Sequence, residues 1–215
     1  PYKIIVLKQQ DMAHLSRKWI ANTHFPWVDR NRQAPRYLLA QAASKDGCKV
    51  VITGDSADEL YTGYKHHSKR ILDPNWDKET IERCKRMGWF PNEIFSKTDS
   101  FNNGLLFDLL STSEQNILAT DQTCGMFGME SRPVFLGQNY VQYIYSFSGA
   151  IKFKQQAGWH PGTYKYLLRE VFGDMLPKHV RERKTKVGWS SPWNNNYEPM
   201  TKQWAREDLE YLTVL

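Results

Sequence analysis

One stretch limits what this chain can fold into more than any other: Val50–Tyr64, VVITGDSADELYTGY. A β-branched run of this kind reads as a buried strand. It stops at Thr53-Gly54, and Asp55, Asp58 and Glu59 then crowd onto one turn. In open parallel sheets, ligands sit beyond the carboxyl ends of the strands. Gly54 lets a backbone approach a ligand there, the Thr53 hydroxyl can donate or accept, and Asp55 follows directly. SADEL reads as the first turn of a helix, with Ser56 as N-cap and Asp58 and Glu59 near the positive end of the dipole. Capping alone accounts for Asp58 and Glu59 but not for Gly54 and Asp55. Read as an EF-hand loop with Asp55 first, the third position is Ala57 and the sixth is Leu60, which excludes calcium of that type. A magnesium ion held by one or two of these carboxylates together with ligand phosphates stays open.

The rest of the chain bounds the class. It has 215 residues, 40% apolar and 13% aromatic, enough for one large domain or two small ones with a real core. No apolar run approaches a membrane span, and the first residues lack a signal-peptide pattern. A first residue of Pro1 points to a trimmed or processed chain, or to a piece of something longer. Cys48, Cys84 and Cys124 are scattered and odd in number, which suits a reducing, cytoplasmic setting rather than a disulfide framework. The net charge of +6 suits a phosphorylated small molecule or a nucleic acid, or is simply a basic surface. His66-His67 stand without a second metal-ligand cluster in the sequence and read as surface histidines.

Lys3–Leu7, KIIVL, reads as a strand, APRYLLAQAASKDGCK as a helix stopped at Gly47, and KVVIT as the next strand, which makes the front α/β with parallel pairing. Helical spacing dominates afterwards: DKETIERCKRMG, then SFNNGLLFDLLSTSEQNILATDQTCGMFGM with a break at Asn102-Asn103-Gly104, QNYVQYIYSF, TYKYLLREVFGDML ending before Pro177, and YEPMTKQWAREDLEYL. The expected division is an α/β part over 1–70 and a helical part over 71–215.

Three segments, in order, carry a resemblance. Thr53-Gly54-Asp55-Ser56-Ala57-Asp58-Glu59-Leu60-Tyr61-Thr62-Gly63-Tyr64 is similar to Ser-Gly-Glu-Gly-Ala-Asp-Glu-Leu-Phe-Gly-Gly-Tyr. DQTCGMFGMESRPVFLG matches Asp-Arg-…-Gly-Leu-Glu-Val-Arg-Val-Pro-Phe-Leu-Asp at Asp121, Gly128, Glu130, Arg132, Phe135 and Leu136. Leu168-Arg169-Glu170, Leu176-Pro177 and Lys184-Thr185-Lys186-Val187-Gly188-Trp189-Ser190-Ser191-Pro192 follow a third pattern, Leu-Arg-Glu, Leu-Pro and Arg-x-Lys-x-Gly-Phe-x-x-Pro. These patterns are those of the synthetase domain of the glutamine-hydrolysing asparagine synthetases, and the resemblance covers roughly residues 35–193. Among the departures are Thr53 for Ser, Asp55 for Glu, Ser56 for Gly, Pro133-Val134 for Val-Pro, and Gly137 for the last Asp.

The resemblance implies part of an adenine nucleotide alpha hydrolase-like (PP-loop ATPase) parallel sheet, followed by a mainly helical carboxyl-terminal region. It implies ATP and Mg2+, a small carboxylate substrate (aspartate by default) activated as an acyl-adenylate, and ammonia or another amine as the attacking group. Thr53 and Gly54 would hold the adenylate, with Asp58, Glu59, Asp121, Glu130 and Arg132 around the substrate. Asp55 would take a proton from the amine. Lys186, with Lys184 as the alternative, would neutralise departing pyrophosphate. Glu130 and Arg132 are expected as a buried ion pair. The family's pyrophosphate loop, Ser-Gly-Gly-x-Asp-Ser-Ser, and its glutaminase cysteine have no match here. KIIVL and VVIT correspond to the third and fourth strands of a 3-2-1-4-5 sheet, so two strands are missing between them. The expectation is therefore half of an enzyme, completed by a segment or second chain that carries the pyrophosphate loop. A catalytically inactive helical remnant serving as a binding or assembly module is the alternative. A nucleic-acid binder rests on charge alone, and no membrane partner is expected.

Overall fold

In a computed structural model the described residues are 2–23, 32–64, 66–67, 76–86, 88, 99–153, 164–182, 203 and 206. A 3-10 turn, Gln9–Asp11, opens α1 (Met12–Thr23), followed by α2 (Gln33–Lys45) and β1 (Val50–Thr53). Next come α3 (Ala57–Leu60), α4 (Trp76–Arg86) and α5 (Ser100–Asp108). A π-helical turn, Leu109–Ser113, joins α5 to α6 (Glu114–Gly125), and β2 (Glu130–Pro133) follows. The rest are α7 (Gln138–Ser146), α8 (Gly149–Lys152), α9 (Tyr166–Phe172) and α10 (Lys178–Arg181), with 3-10 turns at Val134–Leu136 and Gly173–Met175. The class is α/β, mostly helical, with β1 and β2 paired in a parallel two-stranded sheet.

The described residues form two units, one from Pro1–Ile52 and Leu118–Arg132, the other from Thr53–Ile117 and Pro133–Lys186. In the first unit, α2 ends as its sequence predicts. Gly47 takes φ +83, its N–H bonds Ser44 O at 2.9 Å, and the Cys48 N–H bonds Ala43 O at 3.0 Å. That is a Schellman stop, which needs a left-handed residue and so selects glycine. The helix before β2 ends in the same way at Gly128, φ +67, with Gly128 N–H on Gly125 O and Met129 N–H on Cys124 O, both 3.0 Å. The Ser44 hydroxyl donates to Phe127 O at 3.1 Å and links the two stops.

Behind them, Trp19, Ile20, Tyr37 and Ala119 form one buried cluster, with Ala40, Cys124 and Met129 as a second and Phe127 packed against both. The Trp19 indole donates to Thr123 Oγ1 at 2.6 Å, so its polar edge is satisfied as burial demands. In the second unit, Leu60, Tyr61 and Ile144 make the core, flanked by Leu109, Phe135, Tyr140, Leu167 and Leu168.

Several expectations are corrected. Lys3–Leu7 is not a strand. β propensity without a hydrogen-bonding neighbour does not make one. Ile5 and Leu7 are half-buried, while Ile4 and Val6 stay 75% and 73% exposed. β1 pairs instead with β2, within the stretch expected to be helical. Asn102-Asn103-Gly104 is not a break but lies inside α5. Asn102 falls in the first turn, where its N–H is capped by Asp99 and its side-chain amide bonds Asp99 and Phe147 O. The interruption comes later, at the π turn. The predicted helix YEPMTKQWAREDLEYL lies outside the described residues, apart from Gln203 and Arg206. Among the described residues no helix is long and apolar enough to cross a membrane.

Candidate functional site

The acidic turn sits at the carboxyl end of β1, where the sequence places it. Thr53 closes the strand, Asp55 and Ser56 form a turn, and α3 begins at Ala57. Ser56 has φ 70 and its side chain makes no capping bond, so the N-cap expected from its chemistry is present in position only. Its Oγ is buried without a partner among the described residues, as is Thr53 Oγ1. Two neighbouring buried hydroxyls with unused capacity are costly, about 1–3 kcal/mol each, and a ligand or an ordered water is the kind of partner such groups take. Between them, a Cβ added at Gly54 would meet nothing within 4 Å. That open side is what close backbone approach requires.

Asp58 is held from two directions. Its Oδ1 lies 3.2 Å from Lys165 Nζ, with both side chains about a quarter to a third exposed (26% and 31%). Gly63 N–H donates to Asp58 O at 2.7 Å, and a Cβ at Gly63 would come 1.5 Å from Oδ1. Gly63 is thus the notch that admits the carboxylate. Lys165 itself takes φ 53 at the start of α9, and strained backbone of this kind clusters at functional positions. Thr62 also has a positive φ, 61, and its buried hydroxyl donates to Lys152 O at 3.1 Å. Ser56 and Thr62 are the two positions where the family pattern has glycine and this chain does not. Both keep the left-handed backbone that glycine would adopt freely.

Glu59 points inward. It is 2% exposed, and the Tyr64 hydroxyl donates to its Oε1 at 2.8 Å. Burial raises its pKa above the ordinary carboxylate value, partly offset by the Tyr64 bond. Beside it lies Tyr145, whose hydroxyl is buried without a partner among the described residues. Burial, then the charges of Glu59 and Asp108, push that phenol well up.

Three further expected site residues, Asp121, Glu130 and Arg132, lie in the first unit. Asp121 is exposed and accepts from Ser131 Oγ at 3.2 Å. Glu130 and Arg132 do pair, Arg132 Nε and Nη2 each donating to a Glu130 carboxylate oxygen at 3.0 Å, but at the surface rather than buried. They are neighbours but one on β2, so their side chains share a face, and that face is open. The pairing lowers the Glu130 pKa and raises that of Arg132. Lys184 and Lys186 lie outside the described residues. Lys165 and Asp108 went unnoticed in the sequence because their partners are far along the chain. The left-handed Ser56 and Thr62 were legible only against the family's glycines.

The mostly helical α/β scaffold with its parallel strand pair belongs to the PP-loop ATPase fold class. The sequence profile described as asparagine synthase matches residues 3–213; the chain belongs to that family. Asparagine synthetase [glutamine-hydrolyzing] 1 of Arabidopsis thaliana is 24% identical over 166 residues, covering 73% of this chain and 24% of that protein. The asparagine synthetases [glutamine-hydrolyzing] of Triphysaria versicolor and Sandersonia aurantiaca are likewise 24% identical over 73% of the chain, and over 24% and 26% of their own lengths. The chain spans about a quarter of the length of these relatives.

Proposed function

We propose that this chain is the carboxyl-terminal part of an ATP-dependent, amide-forming synthetase that activates a small carboxylate, aspartate by default, for attack by ammonia or another amine. The observation that carries the reading is the loop after β1: two buried hydroxyls without a partner among the described residues stand either side of an open glycine, with a clamped carboxylate four residues beyond it. Thr53 Oγ1 and Ser56 Oγ are donors suited to an adenylate's ribose or phosphate oxygens, and Gly54 leaves the approach clear. ATP, carried with Mg2+, supplies the activating group, and its adenylate is displaced when the amine attacks. Asp55 is the base that takes the amine's proton; it is one methylene shorter than the family's Glu. Asp58 orients the substrate amine or contributes to the magnesium shell. Lys165 supplies positive charge beside it, so the phosphates carry most of the ion's ligation. Lys186 neutralises pyrophosphate, and Asp121, Glu130 and Arg132 border the substrate. The pyrophosphate loop comes from a further segment or chain, and ammonia comes from a glutaminase domain or from solution.

The test is ATP–pyrophosphate exchange with aspartate, run on the chain with and without a polypeptide carrying the pyrophosphate loop. Exchange that needs both and falls at least about a hundredfold in Lys186→Ala, with amide formation from ammonia falling as far in Asp55→Asn, supports the reading. Full exchange by the lone chain removes the need for a partner. Exchange untouched by Lys186→Ala together with amide formation untouched by Asp55→Asn favours a second reading, a catalytically inactive binding or assembly module. Ser56 and Thr62 motivate that alternative, because each puts a side chain where the family pattern has glycine and the backbone is left-handed.

A further inference from the structure

We infer that His66, His67 and Asp108 form a binding site for one divalent transition-metal ion of the Zn2+ class. The Nε2 atoms of both histidines converge on one oxygen: His66 at 2.5 Å and His67 at 2.9 Å from Asp108 Oδ2. The three ligand atoms all lie within 4.8 Å of one another. Around a tetrahedral ion with bonds of about 2.0–2.1 Å, ligand atoms sit about 3.3 Å apart. An ion therefore replaces the two shared protons if Oδ2 moves outward from each Nε2 by under about 1 Å and the two Nε2 atoms, at most 4.8 Å apart, close toward that spacing.

Two imidazoles and a carboxylate form a ligand set that takes Zn2+, Fe2+ or Co2+ and leaves a position open. Magnesium and calcium prefer oxygen, which these residues supply only once. His67 and Asp108 are held rigid, their side chains 1% and 5% exposed, while His66 is 48% exposed and gives an ion and a water their entry. The Tyr64 ring stacks on His66 at 5.2 Å and 13° and meets His67 edge-on at 5.2 Å, which fixes both imidazole planes. Asp108 is the last residue of α5, directly before the π turn, and such wide turns recur at functional sites. A bound ion would anchor the end of the Thr53–Tyr64 loop to α5.

One contact sets the affinity. The Tyr64 amide N–H points at His67 Nδ1, at 3.4 Å, so in the metal-free chain Nδ1 accepts and Nε2 carries the proton to Asp108. Metal on Nε2 moves a proton to Nδ1, facing that amide. That cost makes binding weaker than at structural zinc sites.

The experiment uses the full chain, stripped with a chelator and titrated with Co2+ in visible absorption and with Zn2+ in competition with a chromophoric chelator. The expected result is one ion per chain with a Kd of about 1–10 μM at pH 7.5, weakening below about pH 6 as the imidazoles protonate. His66→Ala, at a half-exposed position and with folding checked by circular dichroism, weakens binding by at least about tenfold. His14→Ala, at an exposed histidine elsewhere, leaves it unchanged. Asp108→Asn, if folded, also weakens it and loses the tetrahedral Co2+ spectrum. No saturable uptake up to about 1 mM, or uptake indifferent to both His66→Ala and Asp108→Asn, overturns the site and leaves a triad that shares protons only. Neither outcome depends on the synthetase reading.

Discussion

Replacing Ser56 with glycine should make this chain more stable, although a glycine normally weakens a fold. Three quantities decide the sign. The φ of 70 costs a residue with a Cβ about 1–2 kcal/mol relative to glycine. The buried hydroxyl, without a partner among the described residues, costs about 1–3 kcal/mol more. Glycine gives back about 0.4–1 kcal/mol through the greater freedom of its unfolded chain. The net gain is at least about 1 kcal/mol, which for a chain this size raises the melting temperature by about 2–4 °C for each kcal/mol. Ser56→Ala separates the contributions, because it removes the hydroxyl and keeps the strained Cβ. Melting followed by circular dichroism should rank Ser56→Gly at or above Ser56→Ala, and both above the natural chain. A Ser56→Gly chain that melts below Ser56→Ala refutes the left-handed strain, and an Ala variant no better than serine refutes the unpaired hydroxyl. If the hydroxyl serves the nucleotide, ATP binding weakens in both variants even as they melt higher.

Gly63→Ala should do the opposite: its methyl would occupy the place of Asp58 Oδ1. It should push the carboxylate off Lys165 and cost about 1–3 kcal/mol, read by chemical denaturation, whereas a neutral result would mean the notch is spacious. Lys152, fully buried, donating to Asn102 Oδ1 and lying over the Tyr145 ring, is lowered by burial from 10.5 to about 8. Between those values the unfolded chain binds more protons, so stability should rise as pH goes from 8 to 10.5. The difference curve against Lys152→Met should show that rise, and a flat difference would sink it. Glu59, raised by burial, binds its proton more tightly when folded. Its contribution is complete below the ordinary carboxylate pKa and is lost as pH climbs through the raised value. Glu59→Gln keeps an acceptor for Tyr64 and should remove that decline, which equilibrium unfolding from pH 4 to 8 would reveal.

What was legible in the sequence was local. Val50–Thr53 carried its strand in β-branched residues, and α2 its stop in Gly47, because both signals lie within a few residues of the structure they specify. What escaped depended on distant partners. Lys3–Leu7 has strand composition, but a strand is a pairing, and no local pattern records whether a neighbour comes. Glu130-Ser131-Arg132-Pro133 has little strand composition and pairs nonetheless. Asn102-Asn103-Gly104 looks like a breaker until Asp99, four residues before Asn103, caps the turn. The acidic turn was readable as a place for a ligand, yet its finer features were not. The inward course of Glu59, the hold of Lys165 on Asp58 and the meeting of Asp108 with His67, 41 residues away, come from helices whose sequences mention none of it.

The two matching helix stops have a consequence for how this chain can vary. Each strand of the sheet is delivered by the same sequence of events: a helix, a left-handed glycine, and one or two residues before the ladder begins. The Ser44–Phe127 bond fastens one delivery to the other. Insertions in surface connections are ordinarily absorbed at little cost. Here a single added residue after Gly47 or Gly128 would slip one strand against its neighbour and turn each of its side chains to the opposite face. Val51 would leave the core, and Thr53 would swing away from the acidic turn. Length variation should therefore be forbidden at these two short joints and tolerated in connections that do not set a strand's register.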